Sequence, residues 1–330
     1  MSNKIKISVI GCGHLGSIHT KLWAANENAE LAGIYDIDPA RAETISQNFN
    51  CKSYSSLEEA IAAADAVTIA SPTSEHFQLA RLAILQKKHC LIEKPITAQY
   101  SEAQELIELA ANNNVLVQVG HVERFNPAIA ALDSYNLKPV FIEAHRLSQF
   151  KPRALDVPVI HDLMIHDIDI VLWLVGSQVE SIQANGVSVL SDSIDICNAR
   201  ITFANGAVAN LTASRISARP MRKMRLFQQN AYISIDFSIP EVEVYRLASD
   251  SEEPKSNALV AQMLGSIDAG SKKLNIAYEK PDIPQINAIA EEQKAFCEAI
   301  SSGNPGTAAN ATEAAEALRI AEEISKMVMK

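Results

Sequence analysis

Val9-Ile10-Gly11-Cys12-Gly13-His14-Leu15-Gly16-Ser17-Ile18-His19-Thr20 closes an alternating apolar run that begins at Ile5-Lys6-Ile7-Ser8. It reads as a strand, a Gly-x-Gly-x-x-Gly turn and the start of a helix. Each glycine has its own task. Gly11 permits the tight turn, Gly13 lets the backbone approach a pyrophosphate, and Gly16 lets the helix pack closely on the strand. The pyrophosphate then lies on the exposed N–H groups and positive dipole end of the helix, with His14 and Leu15 in its first turn.

The next apolar run, Leu31-Ala32-Gly33-Ile34-Tyr35, ends in Asp36, 20 residues after Gly16. A carboxylate there accepts hydrogen bonds from the adenosine ribose hydroxyls. The plainer reading makes Asp36 the N-cap of a helix starting near Pro39, although Asp38 is better placed for that. Strand, glycine turn, helix, strand and acid in this order predict a dinucleotide site. The acid favours NAD over NADP, because it repels a 2′-phosphate.

At 330 residues the chain is long enough for two domains, each with a full core. Its 48% hydrophobic and 21% charged residues are ordinary for a globular protein. A net charge of −10 argues against nucleic acid or an anionic membrane as partner, since both attract positive fields. No apolar run approaches the roughly 18 residues of a membrane span; the longest candidate, 168–175, contains Asp169. Cys12, Cys51, Cys90, Cys197 and Cys297 are odd in number and scattered, with no Cys-x-x-Cys pair. That indicates neither structural zinc nor a disulfide framework. The first residues read as a strand carrying Lys4 and Lys6 rather than a signal peptide, so a reducing cytoplasm is expected.

Through residue 120, strand-like runs at 5–10, 30–35, 66–70, 89–92 and 115–119 alternate with helical patterns at 14–26, 39–49, 57–63, 74–86 and 101–113. Such alternation predicts a doubly wound parallel sheet of Rossmann type. Beyond it a helix at 127–135, a strand at 140–147 and a helix at 162–175 precede long alternating runs at 179–189, 194–203, 206–214, 221–227 and 231–237. Asn205-Gly206 between two of them signals a hairpin. Helices at 284–301 and 311–329 close the chain, and the polar stretch 249–282 reads as poorly periodic, with a surface loop at 250–257. The fold class expected is therefore α/β: a nucleotide domain over 1–121, then an α+β domain over 122–330 built on an open, mainly antiparallel sheet.

Several polar groups stand where chemistry is expected. Glu93-Lys94-Pro95 follows the buried-looking run Cys90-Leu91-Ile92, and a residue at the carboxyl end of such a strand points into the ligand crevice. A surface lysine is the bland alternative, and a second Glu-Lys-Pro at Glu279-Lys280-Pro281 reads as a chance copy. His161-Asp162-Leu163-Met164-Ile165-His166-Asp167-Ile168-Asp169 is the densest polar cluster. On a helix Asp162, His166 and Asp169 share a stripe, and a carboxylate one turn from an imidazole suits general acid–base work. His161 lies about 140° around from His166, which makes the pair poor co-ligands for one metal. A capped helix start, with Asp162 or Asp156 as cap, explains the same residues without chemistry. Arg124 follows the last strand of the first half. Arg215, Arg219, Arg222, Lys223 and Arg225 put five cations within eleven residues, suited either to a diphosphate-bearing substrate or to a solvated strand face.

Together these pieces resemble the glucose–fructose oxidoreductase/inositol dehydrogenase (Gfo/Idh/MocA) family over nearly the whole length. The resemblance is carried by Gly11-x-Gly13-x-x-Gly16, Ser71-Pro72-x-x-x-His76, Glu93-Lys94-Pro95, Arg124-Phe125-x-Pro127 and Asp162-x-x-x-His166-x-x-Asp169. It implies an NAD-dependent sugar dehydrogenase with Lys94, Asp162 and His166 beside the nicotinamide. Ser71, Pro72, His76 and Glu93 would line the cofactor, and Arg124, Asp169, Arg215 and Arg219 the substrate. Many members carry glycine where this chain has Met164. The stretches 120–127 and 162–169 look most like the branch that oxidises the 3-hydroxyl of UDP-N-acetyl-hexosamines. No metal is expected. The rival readings are a dehydrogenase of a free polyol, a non-catalytic NAD sensor, and a metal-dependent hydrolase that the ligand spacing disfavours. The apolar sheet face of the second half suggests a homodimer or homotetramer.

Overall fold

Ile7, Val9 and Ile10 are buried, and the run that holds them forms β1 (Ile5–Ile10) inside a parallel sheet. In this computed structural model the described residues are 4–150, 157–248, 258–269, 272–304 and 306–329. Strands β2 (Ala29–Tyr35), β3 (Ala66–Ile69), β4 (His89–Glu93) and β5 (Val117–Gly120) complete the parallel set in the order β5-β4-β3-β1-β2. Between them run α1 (His14–Ala24), α2 (Pro39–Phe49), α3 (Leu57–Ala62), α4 (Thr73–Leu85) and α5 (Tyr100–Asn113). Apolar strands such as Ala66-Val67-Thr68-Ile69 are buried on both faces, which is why they read as continuous runs rather than alternations. Ile10, Val67, Ile69, Cys90 and Ile92 share one core with Leu106 and Ala110; Ile7, Val9, Ile34 and Leu91 share the other with Trp23.

Helix boundaries follow their capping chemistry. The Asp38 carboxylate accepts the Ala40 and Arg41 amides at the start of α2, Pro39 takes the first helical position, and Asn50 ends the helix with φ +49°. A capping box between Gln99 and Glu102 opens α5.

The chain divides into two compact units, 1–125 with 287–319 and 126–286 with 320–330. The second unit opens with α6 (Pro127–Ala130), one turn where the sequence reading expects a helix to residue 135. Its sheet comprises β6 (Phe141–Leu147), β7 (Val179–Val187), β8 (Ile196–Phe203), β9 (Val208–Ser214), β10 (Met221–Gln228), β11 (Ala231–Asp236), β12 (Glu241–Ala248), β13 (Ala258–Ala269) and β14 (Lys272–Pro281). Their order is β13-β14-β12-β11-β10-β6-β9-β8-β7, antiparallel except for the parallel β6–β9 pair. The polar stretch after 249 is thus not a loop throughout: 258–281 forms the edge hairpin β13–β14. The expected loop at 250–257 lies outside the described residues.

One sheet face carries Ile142, Leu211, Met224, Leu226 and Ile233, all buried, and packs against α7 (Ile165–Val175). The other face holds Phe141, Phe227, Tyr232, Tyr245 and Tyr278, directly opposite one another across five strands with ring centroids 5.0–5.7 Å apart.

The segment 287–319, which the sequence division assigns to the second domain, belongs to the first unit. There α8 (Ala288–Ser302) packs on α1, with Phe296 edge-on to Trp23 at 6.5 Å. Ala309–Asn310 adds a short antiparallel pairing beside β5. The last helix, α9 (Ala311–Val328), starts in the first unit and ends in the second.

Candidate active site

In the first unit the candidate cofactor residues gather at one edge of the parallel sheet. Gly11 follows β1, Asp36 follows β2, Ser71 lies just past β3 and Lys94 follows β4, all at carboxyl ends. Gly11 has φ +94°, and a Cβ on it would lie 2.7 Å from the Ala70 carbonyl oxygen. On Gly16 a Cβ would stand 1.8 Å from the Gly11 carbonyl oxygen, so no side chain is possible. At Gly13 a Cβ meets nothing within 4 Å, which leaves room over the turn. No side chain caps the α1 N-terminus and no acid stands in its first turn, so its amides face that room; Leu15 is 40% exposed there. These are the requirements of a bound pyrophosphate, and the turn fits NAD.

Asp36 is buried. One carboxylate oxygen accepts the Cys12 amide at 2.6 Å, and the other accepts the Asp38 amide at 2.8 Å. Asp38, not Asp36, caps α2, and Arg41 Nη1 donates to the same Asp36 oxygen as the Asp38 amide, at 3.4 Å. Burial and the Asp36 charge push the Cys12 thiol up to about 12, which makes it an inert filler of the turn.

Glu93 and His76 brace the loop that carries Lys94. Glu93 accepts the Lys94 amide at 3.3 Å and a bond from His19 Nε2 at 2.8 Å. Gln293 Nε2 donates to His19 Nδ1 at 3.1 Å, which leaves the imidazole proton on Nε2, aimed at Glu93. His76, also buried, lies between the Ser71 carbonyl (3.0 Å from Nε2) and the Pro95 carbonyl (2.9 Å from Nδ1). Burial lowers its pKa. Glu93 and His76, both expected at the cofactor, also hold the loops that carry them. Pro72 starts α4, and the Lys94-Pro95 peptide is cis.

In the second unit 160–164 forms a π-helical turn and α7 follows it, where a single helix from 162 is expected. The turn drives Met164 into the core, and leaves Asp162 and His166 half-exposed. Asp169 is 1% exposed and sits on the core side of α7 instead. Burial lowers the His161 pKa, and its ring stands 3.4 Å from the Ser325 hydroxyl. Asp156, the other cap candidate, lies outside the described residues. The buried Arg146 grips buried Asp167 with two bonds of 3.0 and 2.9 Å and so fixes α7 on β6.

The arginines divide. Arg124 is 3% exposed and donates to Glu313 at 3.0 Å and to the Thr307 carbonyl. Arg215 is buried as well; it donates to the Val157 carbonyl and stands 4.0 Å from Asp195. Lys223 pairs with Asp236 and Arg225 with Glu143, so this part of the cationic run is a solvated strand face. Arg219 is exposed. Glu279 of the second Glu-Lys-Pro is fully buried, bonded to Arg246 and Tyr135.

The sequence reading missed His19, Gln293, Arg146 and Asp195. Asp195 accepts three successive amides, Val189 to Ser191, and the Ser191 hydroxyl, which hold its pKa down at about 2. Only His19, three residues past Gly16 on the same helix, carries a local signal. Among the described residues no cluster of three or more His, Cys, Asp or Glu is arranged to hold a metal, and no helix is long and apolar enough to cross a membrane.

Residues 5–121 match the NAD-binding Rossmann-fold domain of the GFO/IDH/MocA oxidoreductases, and 132–234 match the GFO/IDH/MocA C-terminal domain. The UDP-N-acetylglucosamine 3-dehydrogenase of Acidithiobacillus ferrooxidans is 38% identical over 301 residues, spanning 90% of this chain and 92% of that protein. The chain belongs to the GFO/IDH/MocA family. A solved structure of the same Acidithiobacillus enzyme superposes with TM-score 0.87 at 34% identity, covering 99% of this chain and 98% of that one. The NAD(+)-dependent scyllo-inositol 2-dehydrogenase of Bacillus subtilis is 29% identical, over 66% of this chain and 69% of its own. As a member of this family the chain is an NAD-dependent oxidoreductase.

Proposed function

We propose that the protein oxidises the 3-hydroxyl of a UDP-N-acetyl-hexosamine. The observation that carries this reading is the 38% identity to a UDP-N-acetylglucosamine 3-dehydrogenase over nine-tenths of both chains. NAD, when bound, supplies the hydride acceptor. Everything else falls to side chains. His166, half-buried on the first turn of α7, takes the hydroxyl proton, and Asp162, one turn earlier, orients the imidazole. Lys94, held by the Glu93–His19–Gln293 brace, polarises the reacting oxygen; it and His166 can exchange roles. Arg219, an exposed arginine of the cationic run, is the group offered to the diphosphate.

The test is turnover against cofactor binding. Lys94→Met and His166→Ala should each lower kcat by roughly 100-fold or more, in the range for loss of a positioned acid or base, while NAD still binds. Near-natural turnover in both variants removes the assignment. Oxidation of a free polyol is the second reading, favoured by the inositol 2-dehydrogenase relative.

The same reading places the protein in the cytoplasm, since its five cysteines are all free thiols. It also makes it a homo-oligomer joined through the aromatic sheet face, whose five half-buried rings form a band that a second copy can cover.

A further inference from the structure

The first unit holds a cavity of about 300 Å³ whose polar lining is Lys4, Asp65, Lys87, Lys88 and His89. Lys4 precedes β1, Asp65 precedes β3 and His89 opens β4, at the strand ends opposite those that carry Gly11, Ser71 and Lys94. Three lysines against one aspartate make this lining positive, in a chain of net charge −10. Among the described residues no ion pair joins Lys4, Lys87 or Lys88 to an acid. Asp65 instead accepts the Lys6 amide at 2.9 Å. Lys88 Nζ donates to the Ala64 carbonyl at 2.6 Å and to that of Ala62 at 3.5 Å, which fixes its ammonium and leaves a third proton over. Helix ends account for Lys88 behind α3 and Lys87 behind α4, but not for Lys4. His89 Nδ1 accepts the Leu116 amide at 2.9 Å, so the neutral ring carries its proton on Nε2. Among the described residues that Nε2 has no acceptor. Burial lowers the His89 pKa, and the imidazole stays a neutral, oriented donor.

We infer that this cavity is a second ligand site, separate from the glycine turn, for a small phosphoryl anion such as pyrophosphate or a phosphate ester. Its volume is at the lower end for small-molecule sites. Ammonium groups act as point charges that suit a phosphoryl group in many orientations. A carboxylate is gripped best by the planar fork of an arginine, and no arginine lines the cavity. The inference depends neither on the sugar nor on the roles of Lys94 and His166.

Titration calorimetry of inorganic pyrophosphate into the full chain tests this, with NAD saturating so that the glycine turn is filled and salt at the physiological level. Pyrophosphate should bind at one site. Lys4→Gln with Lys87→Gln should weaken it at least about tenfold, the scale of one lost charge-assisted bond. Both side chains are exposed, so this double variant keeps the fold, which circular dichroism checks. Lys138→Gln with Lys326→Gln removes the same charge from exposed positions elsewhere and should leave the affinity unchanged. No heat at millimolar pyrophosphate, or an equal loss in the two double variants, overturns the inference. So does an affinity indifferent to Lys4 and Lys87. Heat that disappears once NAD is added belongs to the glycine turn and has the same consequence. Citrate binding as tightly as pyrophosphate marks a general anion trap and removes the phosphoryl site as well.

Discussion

A Cβ at Gly16 would stand 1.8 Å from the Gly11 carbonyl oxygen, whereas one at Gly13 touches nothing, so the two glycines answer to different forces. Gly16→Ala forces backbone to move and should cost about 3 kcal/mol of stability, at the upper end for overpacking. Gly13→Ala fits the folded chain, with φ −66° open to any residue, and should leave stability within about 0.5 kcal/mol while weakening NAD binding. Calorimetric melting and NAD titration on both variants separate the two effects; Gly13→Ala binding NAD as the natural chain does would contradict the pyrophosphate cradle. Gly11, Asp36 and Asp38 were legible because their signals are local: a positive φ, a strand end, a helix start. Arg124 was not. Its partner Glu313 lies 189 residues away, and no charge pattern announces a partner at that distance. The partners of Arg215 and Glu93 were hidden for the same reason, since the carbonyl or imidazole that meets each comes from another element.

Among elements, the strand and helix alternation of the first 120 residues was readable almost to the residue, because strands buried on both faces and capped helices leave strong marks. The stretch before His166 was not. A π-helical turn keeps the same apolar spacing within a few residues, so Ile160–Met164 passes for ordinary helix, with Ile160 and Met164 buried in it. The Arg146–Asp167 pair then locks α7 against β6. Arg146→Met strands a buried carboxylate and should lower stability by about 3–5 kcal/mol in denaturant unfolding, whereas Arg146→Met with Asp167→Leu should recover most of it. A single variant as stable as the natural chain would remove the pair as the anchor of α7. The hairpin β13–β14 was also hidden, because the exposed strand β13 opens on a continuous apolar run, Ala258 to Ala261, with no apolar–polar alternation.

For the whole molecule, two domains and their fold classes were visible in the sequence, but the return of 287–319 to the first unit was not. Amphipathic helices such as α8 show that a face is buried and not what buries it. The aromatic band on the second sheet follows from strand alternation once the register is known: Phe141, Phe227, Tyr232, Tyr245 and Tyr278 fall on the face away from Leu226 and Ile233. Tyr232→Asp in the middle of that band should convert an oligomer to monomer in light scattering after gel filtration, with the fold intact by circular dichroism. A natural chain that is monomeric at all concentrations contradicts the band as an interface. Oxidation of a nucleotide sugar is read by NADH absorbance on mixing the protein, at stoichiometric concentration, with NAD and UDP-N-acetylglucosamine, beside a sample holding free N-acetylglucosamine. NADH should form with the nucleotide sugar and not with the free sugar. NADH from neither, or equally from both, contradicts it.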